Sequence, residues 1–242
     1  MKKRRTEKQG MSNKDFFEDG EADRLFSRNI DEFASGEKEP SIGMLCDWLE
    51  PFSGDIQTIL EIGCGNGYRL SLLSNSLNAD GFGVEPSRKA LKHLSRTSPN
   101  LSTKVGFGDD VPFADNLFDL VHLGFYLYLV DRNKYLRCIS EADRLLKFGG
   151  FLSIIDFDTP SPYSNPYAHK KGVFSHKIDN ASIFVASGLY SIVNKFHFSH
   201  SNFFFDKDID QRISLTLLFK ENEIFGGCWC WGIFLASSQK TR

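Results

Sequence analysis

Residues 58–73, TILEIGCGNGYRLSLL, constrain the fold more tightly than any other part of the chain. An apolar run ends in the acid Glu61, and glycine then takes three of five positions, Gly63, Gly65 and Gly67. Apolar residues resume at helical spacing from Tyr68. Glycine at that density serves a turn in which the backbone must adopt left-handed angles or be approached closely. The segment therefore reads as a short buried strand, a tight exposed turn and a helix.

The same grammar repeats downstream. DGFGVEPS is a second strand and turn, and SRKALKHLSRTS is a helix with Ser87 as its N-cap. STKVGFGDD gives a third strand. LFDLVHLGFYLYLV gives a fourth, followed by the helix NKYLRCISEADRLLK, ended by Gly149-Gly150, and FLSIIDF is a fifth strand. Such alternation implies right-handed crossovers and a parallel sheet with helices on both faces. From Thr159 the pattern breaks: TPSPYSNPYAHKKGVFSHKIDN has no period and reads as a long irregular insert on the functional side. YSIVNKFHFSH and RISLTLLFK then read as two strands that pair antiparallel at the sheet's end.

A doubly wound sheet binds ligands at the carboxyl ends of its strands, where the strand order reverses. Two further features meet the glycine turn there. Glu85 ends the second strand, 22 positions after Gly63, where an acid accepts hydrogen bonds from ribose hydroxyls. The pair Asp109-Asp110 follows the third strand. A dehydrogenase fingerprint, G-x-G-x-x-G, would seat a pyrophosphate on the helix N-terminus. Here the glycines are spaced G-x-G-x-G with Tyr68 in the sixth place, which favours a ligand without pyrophosphate.

ILEIGCGNG, GFGVEPS, DDVPFADNLFDLV and LLKFGGFLSIIDF, in that order, resemble successive motifs of the class I S-adenosylmethionine-dependent methyltransferases, in their type 11 branch. The resemblance covers roughly residues 56–157. It implies an α/β, doubly wound, Rossmann-like methyltransferase fold: a mostly parallel seven-stranded sheet with an antiparallel last strand. It also implies S-adenosyl-L-methionine as cofactor. Glu61 and the backbone of Gly63, Cys64, Gly65 and Gly67 would cradle its methionine part, and Glu85 its ribose, with Pro86 beside the adenine. Asp109 or Asp110 would face the adenine amino group. The family's acid four residues before Val111 is here Phe107, so backbone at Phe107-Gly108 would replace a side-chain contact. Leu123, Gly124 and Phe125 would lie along the sulfonium. FFEDGEADRLFSRN is also similar to the opening of methyltransferases of sugar and surface-polysaccharide pathways, so the expected acceptor is a small molecule, such as a sugar or cell-surface precursor, methylated on oxygen or nitrogen.

The expected divisions are a basic, polar, disordered tail (1–20), a helical cap (21–55), the cofactor-binding domain (56–220) with a substrate-side insert (158–189), and an apolar tail (221–242). Asp156, at the end of the fifth strand, Tyr126 and His169 are candidate catalytic groups, and Tyr128, His176 and Lys177 are candidate acceptor contacts. Tyr126 and Tyr128 alternate and are expected to share a face. Arg28 and Asn29 could close over the cofactor from the cap. His197 and His200 read as structural. NFFFDK reads as core or hydrophobic wall. Cys228 and Cys230 lack the further ligands of a zinc site, so no metal is expected.

Composition narrows the remaining choices. A net charge of −2 gives no general attraction to nucleic acid. The strand-four end GFYLYLV also lacks the Asn/Asp-Pro-Pro-aromatic pattern of amino-methylating DNA enzymes. The apolar run Ile224–Ala236 is too short to span a bilayer. The first residues, MKKRRTEKQG, are not followed by an apolar stretch, so no signal peptide is read there. With five cysteines unevenly spaced, reduced thiols and a cytoplasmic setting are expected. A nucleic-acid methyltransferase, a module that binds the cofactor without catalysis, and a dehydrogenase are the competing readings. Oligomeric state is left open.

Overall fold

The computed structural model describes residues 20–34, 39–169, 171–199 and 201–222. Both tails, His200 and the Cys228–Cys230 segment lie outside the described residues, as does the side chain of Asn29.

The glycine-flanked strand is the hub. Strand β1 (Thr58–Ile62) lies between β2 (Asp80–Glu85) and β4 (Phe118–Gly124), parallel to both. With β3 (Ser102–Val105), β5 (Leu146–Phe157), β8 (Tyr190–Ser199) and β9 (Arg212–Lys220), they form a seven-stranded sheet ordered β3-β2-β1-β4-β5-β9-β8. Only β9, the last strand in sequence, runs against its neighbours β5 and β8. The chain leaves β1 for β2 and β3 on one side and then crosses to β4 and β5 on the other, so the order reverses between β1 and β4.

Strand alternation sends apolar side chains to both faces. On one face Ile59, Leu120, Ile155 and Leu215 meet α2 (Pro40–Leu49), α3 (Tyr68–Leu77) and α4 (Arg88–Thr97). On the other, Leu60, Val121, Leu152 and Ile154 meet α5 (Tyr135–Leu145) and α6 (Ala181–Ala186). At the amino ends of the strands, Asp119 accepts hydrogen bonds from the Gln57 and Thr58 amides and the Lys147 ammonium, tying β1, β4 and β5 together. Helix α1 (Ala22–Ala34) is pinned to α4: Asp23 accepts from the Ser87 hydroxyl (2.7 Å) and the Lys89 amide (3.1 Å), while Ser87 caps α4 through the Ala90 amide.

The structure departs from the sequence reading in four places. Helix α5 stops at Leu145, and Lys147–Gly150 belong to β5; Gly149, with φ of 75°, bends that strand rather than ending the helix. The insert is not irregular throughout. Tyr163–Pro166 (β6) and Phe174–Lys177 (β7) pair as an antiparallel hairpin. Asp210 holds that hairpin by accepting from Tyr163, Asn165 and Lys177, contacts that keep its carboxyl down at about 2. Tyr126 and Tyr128 do not share a face. Strand β4 ends at Gly124, Phe125 turns left-handed (φ 51°), and Leu127–Leu129 form a 3-10 turn, so Tyr126 joins one core and Tyr128 the other. In the NFFFDK segment only Phe203 packs inward, on Phe196 and Phe198, while Phe204 and Phe205 are exposed.

Candidate functional site

A cleft of about 820 Å³ opens at the carboxyl ends of the strands, where the order reverses. Gly63, Glu85 and Pro86 form its floor, and the turn Gly106–Asp109 forms one wall. Tyr126, Val130 and Lys134 close the opposite side, and Ala22 and Leu25 of α1 lie over it.

The glycine turn is built by backbone geometry. Gly63, Gly65 and Gly67 all have positive φ (80°, 52° and 76°). A Cβ on Gly63 would come within 3.0 Å of the Tyr126 ring, and one on Gly67 within 2.4 Å of buried Leu94. The Gly63 and Cys64 amides donate to the Val84 carbonyl (2.8 and 3.2 Å), which draws the turn over the end of β2. The Gly65 amide donates to one oxygen of Glu85 (3.0 Å), and the Ser87 amide donates to the other (2.8 Å). Glu85 is thus held facing the cleft. Its burial lifts the carboxyl to about 7, against the pull of those two amides.

Behind the turn Glu61 is 1% exposed, and neither of its oxygens makes a well-formed hydrogen bond among the described residues. Burial raises its carboxyl to about 8, opposed by nearby Arg69 and by the Leu70 amide at the start of α3, which approaches without aligning. Arg69 pairs with Glu39 (2.8 Å) and lies 5.4 Å from the Phe125 ring centre.

The structure gathers Gly63, Glu85, Pro86, Phe107, Gly108, Asp109 and Tyr126 around one cleft. Asp109 is buried and pairs with Lys134 (3.1 Å), whereas Asp110 is exposed and lies outside the lining. Cys64 packs under the turn, beside Gly83, and its thiol is pushed up by burial. Gly65 and Gly67 shape the turn without lining the cleft, as Leu123 and Gly124 shape the end of β4. Gly108 leaves room for Tyr126, because a Cβ there would stand 2.2 Å from the phenol oxygen.

The acceptor-side candidates are spread out. Asp156 is buried and accepts from the Tyr128 amide (3.1 Å) and its neighbour Phe157 (2.8 Å), so it caps the turn after β4. The Tyr126 phenol, bonded to the Cys138 sulfur at 3.2 Å, and the Tyr128 phenol are both pushed by burial well above the ordinary tyrosine range. Both stay protonated near neutral pH. Lys177 is turned to Asp210 and the Phe157 ring (4.1 Å). His169 is exposed beside Tyr167. His176 bonds Ser164 through Nδ1 (2.7 Å), and burial lowers its pKa, with Arg132 adding to the effect and Asp131 opposing it. Arg28 pairs with Glu21 (2.5 Å) and reaches Tyr167 of the insert, so helix α1 and the insert touch. His197 pairs with Asp158 at 3.1 Å.

Residues 59–150 match the profile of a methyltransferase domain. This segment belongs to the methyltransferase domain family. It carries β1 to the start of β5 and most of the cleft. An uncharacterized methyltransferase of Synechocystis sp. is 32% identical over 105 residues, 43% of this chain and 49% of that protein. A demethylmenaquinone methyltransferase of Staphylococcus aureus is 32% identical over 107 residues, 42% of this chain and 44% of that protein. The chain spans under half the length of either. A 1,6-didemethyltoxoflavin-N1-methyltransferase of Burkholderia thailandensis, solved with its substrate and S-adenosylhomocysteine, superposes with a TM-score of 0.60. That likeness covers 84% of this chain and 90% of that one at 13% identity, and it concerns the fold. Among the described residues, no helix is long and apolar enough to cross a membrane, and no cluster of metal-ligating side chains forms.

Sequence reasoning did not find Lys134, Asp23, Arg69, His122 or Ser153. Lys134 and Arg69 sit at helix starts with no local pattern to mark them. Asp23 matters only because α1 folds back 64 residues in sequence onto Ser87. His122 and Ser153 occupy strand positions where the alternation calls for apolar residues, a signal that was available.

Proposed function

We propose that this chain is an S-adenosylmethionine-dependent methyltransferase acting on a small molecule, at oxygen or nitrogen. The observation that carries the reading is Glu85: a carboxylate facing the cleft, oriented by two backbone amides, one of them from the glycine turn. Such a group accepts two hydroxyls of a ribose. The turn also disfavours a dinucleotide. The Gly67 amide is spent on the Cys64 carbonyl and the Tyr68 amide on Asn66, so the start of α3 offers few free donors to a pyrophosphate.

The residues fit the cofactor at three further points. Glu61, buried without a well-formed hydrogen bond and held at about 8, is a carboxyl under the turn that an ammonium of the methionine part would draw into its ionised form. Gly63 and Gly108 let the Tyr126 side chain seat between the glycine turn and the opposite wall, since a Cβ at either would collide with it. The Phe107-Gly108 backbone and buried Asp109 border the place for the adenine. When bound, the cofactor supplies a methyl group activated by a positively charged sulfur.

The protein's part in such a displacement is chiefly alignment, since the leaving sulfur needs no proton. Tyr126 is a wall of the cofactor site rather than a base. Tyr126→Phe therefore keeps the affinity for S-adenosylhomocysteine within about threefold, measured by titration calorimetry, because a hydroxyl–sulfur bond contributes little.

On the acceptor side, Phe125 lines the cleft and is backed by the rings of Tyr128 and Phe157, which it meets edge-on. They favour a flat, largely apolar acceptor over a free sugar, and the Staphylococcus relative is named for a quinone-type one. His176 is the base best placed to take a proton. Burial keeps it neutral, Ser164 fixes its ring, and it lies close to Asp131, which lines the cleft. The test is release of S-adenosylhomocysteine with panels of hydroxylated aromatics, amines and sugar nucleotides. Turnover with the aromatics, cut about 10²–10⁴-fold in His176→Ala, supports the reading. Turnover with sugars alone contradicts it.

A further inference from the structure

The lining of the cleft is mostly apolar, yet it carries four charged residues, Glu85, Asp109, Asp131 and Lys134. Lys134 is the single cation of that lining among the described residues. Its side chain, 31% exposed, meets the 6% exposed carboxylate of Asp109 at 3.1 Å. The pair joins the turn after β3 to the opposite wall, so an ammonium and a carboxylate stand side by side in the cleft. One of the three ammonium protons serves Asp109, which leaves donors for a ligand.

The spacing of the two is built into the fold. Lys134 stands just before α5: its amide donates to the Asp131 carbonyl (2.9 Å), and its carbonyl accepts from the Arg137 and Cys138 amides (2.9 and 3.1 Å). Asp109 sits in the turn Phe107–Asp110, closed by the Asp110 amide on the Phe107 carbonyl (3.2 Å). The chain leaving that turn is latched to the same helix. Glu141 accepts from the Val111 amide (2.8 Å), and Arg144 donates to the Val111 and Phe113 carbonyls (3.0 and 2.9 Å). Both partners therefore ride on α5, and the donor and acceptor are in place before any ligand arrives.

Adenine carries an amino donor flanked by two ring-nitrogen acceptors, N1 and N7. We infer that Lys134 is a specificity-determining residue for the base of the cofactor. Asp109 accepts from the exocyclic amino group, and the Lys134 ammonium donates to a ring nitrogen beside it. A keto base meets the pair wrongly, because its carbonyl oxygen faces the carboxylate, acceptor against acceptor. The inference rests on the cofactor site proposed above and goes beyond it in giving the base a second reader.

The test is calorimetric titration with S-adenosylhomocysteine and three analogues. S-inosylhomocysteine has a keto oxygen in place of the amino group, and the 1-deaza and 7-deaza forms each lack one ring nitrogen. The unaltered protein binds the inosyl analogue about a hundredfold more weakly than S-adenosylhomocysteine, and one deaza form about tenfold more weakly. In Lys134→Met the affinity for S-adenosylhomocysteine falls about tenfold, and that deaza form binds as well as the parent. Should Lys134→Met fail to fold with Asp109 stranded, Asp109→Asn is added to it to remove both charges. Both penalties then shrink to within about threefold, since an asparagine amide can present either its oxygen or its NH2 to the base. A deaza penalty that survives the loss of Lys134 in folded protein overturns the inference. So does an unaltered protein that binds both deaza forms as tightly as the parent. Failure of the unaltered, folded protein to bind S-adenosylhomocysteine at all counts against the proposed function and takes this inference with it.

Discussion

Glu85→Ala lowers the affinity for S-adenosylmethionine by on the order of a hundredfold, about 3 kcal/mol. The size follows from what the carboxylate does twice over. It is the group that faces the ribose, and it also holds the Gly65 amide that shapes the turn. Glu85→Gln keeps an oxygen for one of the two amides, sets an NH2 against the other and loses the charge, so its loss is smaller than that of alanine, about tenfold. The pH dependence separates the two variants from the unaltered protein. In the ligand-free protein the Glu85 carboxyl sits at about 7, raised by burial. Ribose hydroxyls donate to the ionised form, so binding favours proton release and affinity climbs as pH rises from 6 to 8. In Glu85→Gln that climb shrinks to whatever Glu61 contributes. Calorimetry across that range, in two buffers of different ionisation heat, reads both the affinity and the proton count.

Gly67→Ala destabilises the fold by about 2–4 kcal/mol, which lowers Tm by roughly 5–12 °C for a domain of this size. Two costs add. Alanine at φ 76° occupies the left-handed region, and its Cβ would lie 2.4 and 2.8 Å from buried carbons of Leu94. Gly65→Ala is the internal comparison: its φ is also positive, at 52°, but nothing lies within 4 Å of the added carbon. It therefore pays the backbone cost alone, about 1–2 kcal/mol. Thermal unfolding of the pair distinguishes packing from conformation, and equal losses would contradict the role given to Leu94.

The parallel strands and the helices between them were legible because each βαβ unit carries its own signals. Ile59 to Ile62 are buried on both faces, Ser87 caps α4 as its chemistry demands, and the glycines announce the turn. The floor of the cleft was legible for the same reason: Gly63 and Glu85 are placed by strand ends, and strand ends can be counted. What could not be read depends on long-range packing. Asp109 and Asp110 are equivalent in sequence, and only the Lys134 pair and the turn at Phe107 bury one of them. Asp156 looked like a free acid at a strand end, yet the chain folds the Leu127–Leu129 turn onto it. Tyr126 and Tyr128 were assigned one face on strand periodicity, which stops applying once Phe125 turns left-handed. Asp210, which fastens the hairpin, lies in a loop 33 residues from Lys177 and has no local mark.

The most direct test of the central claim is calorimetric titration of the folded protein with S-adenosylhomocysteine and, in parallel, NAD. The cleft described above predicts a single site of micromolar affinity for the first, lost in Glu85→Ala, and no heat from the second. Binding of NAD in preference, or no binding of either ligand by folded protein, would contradict it.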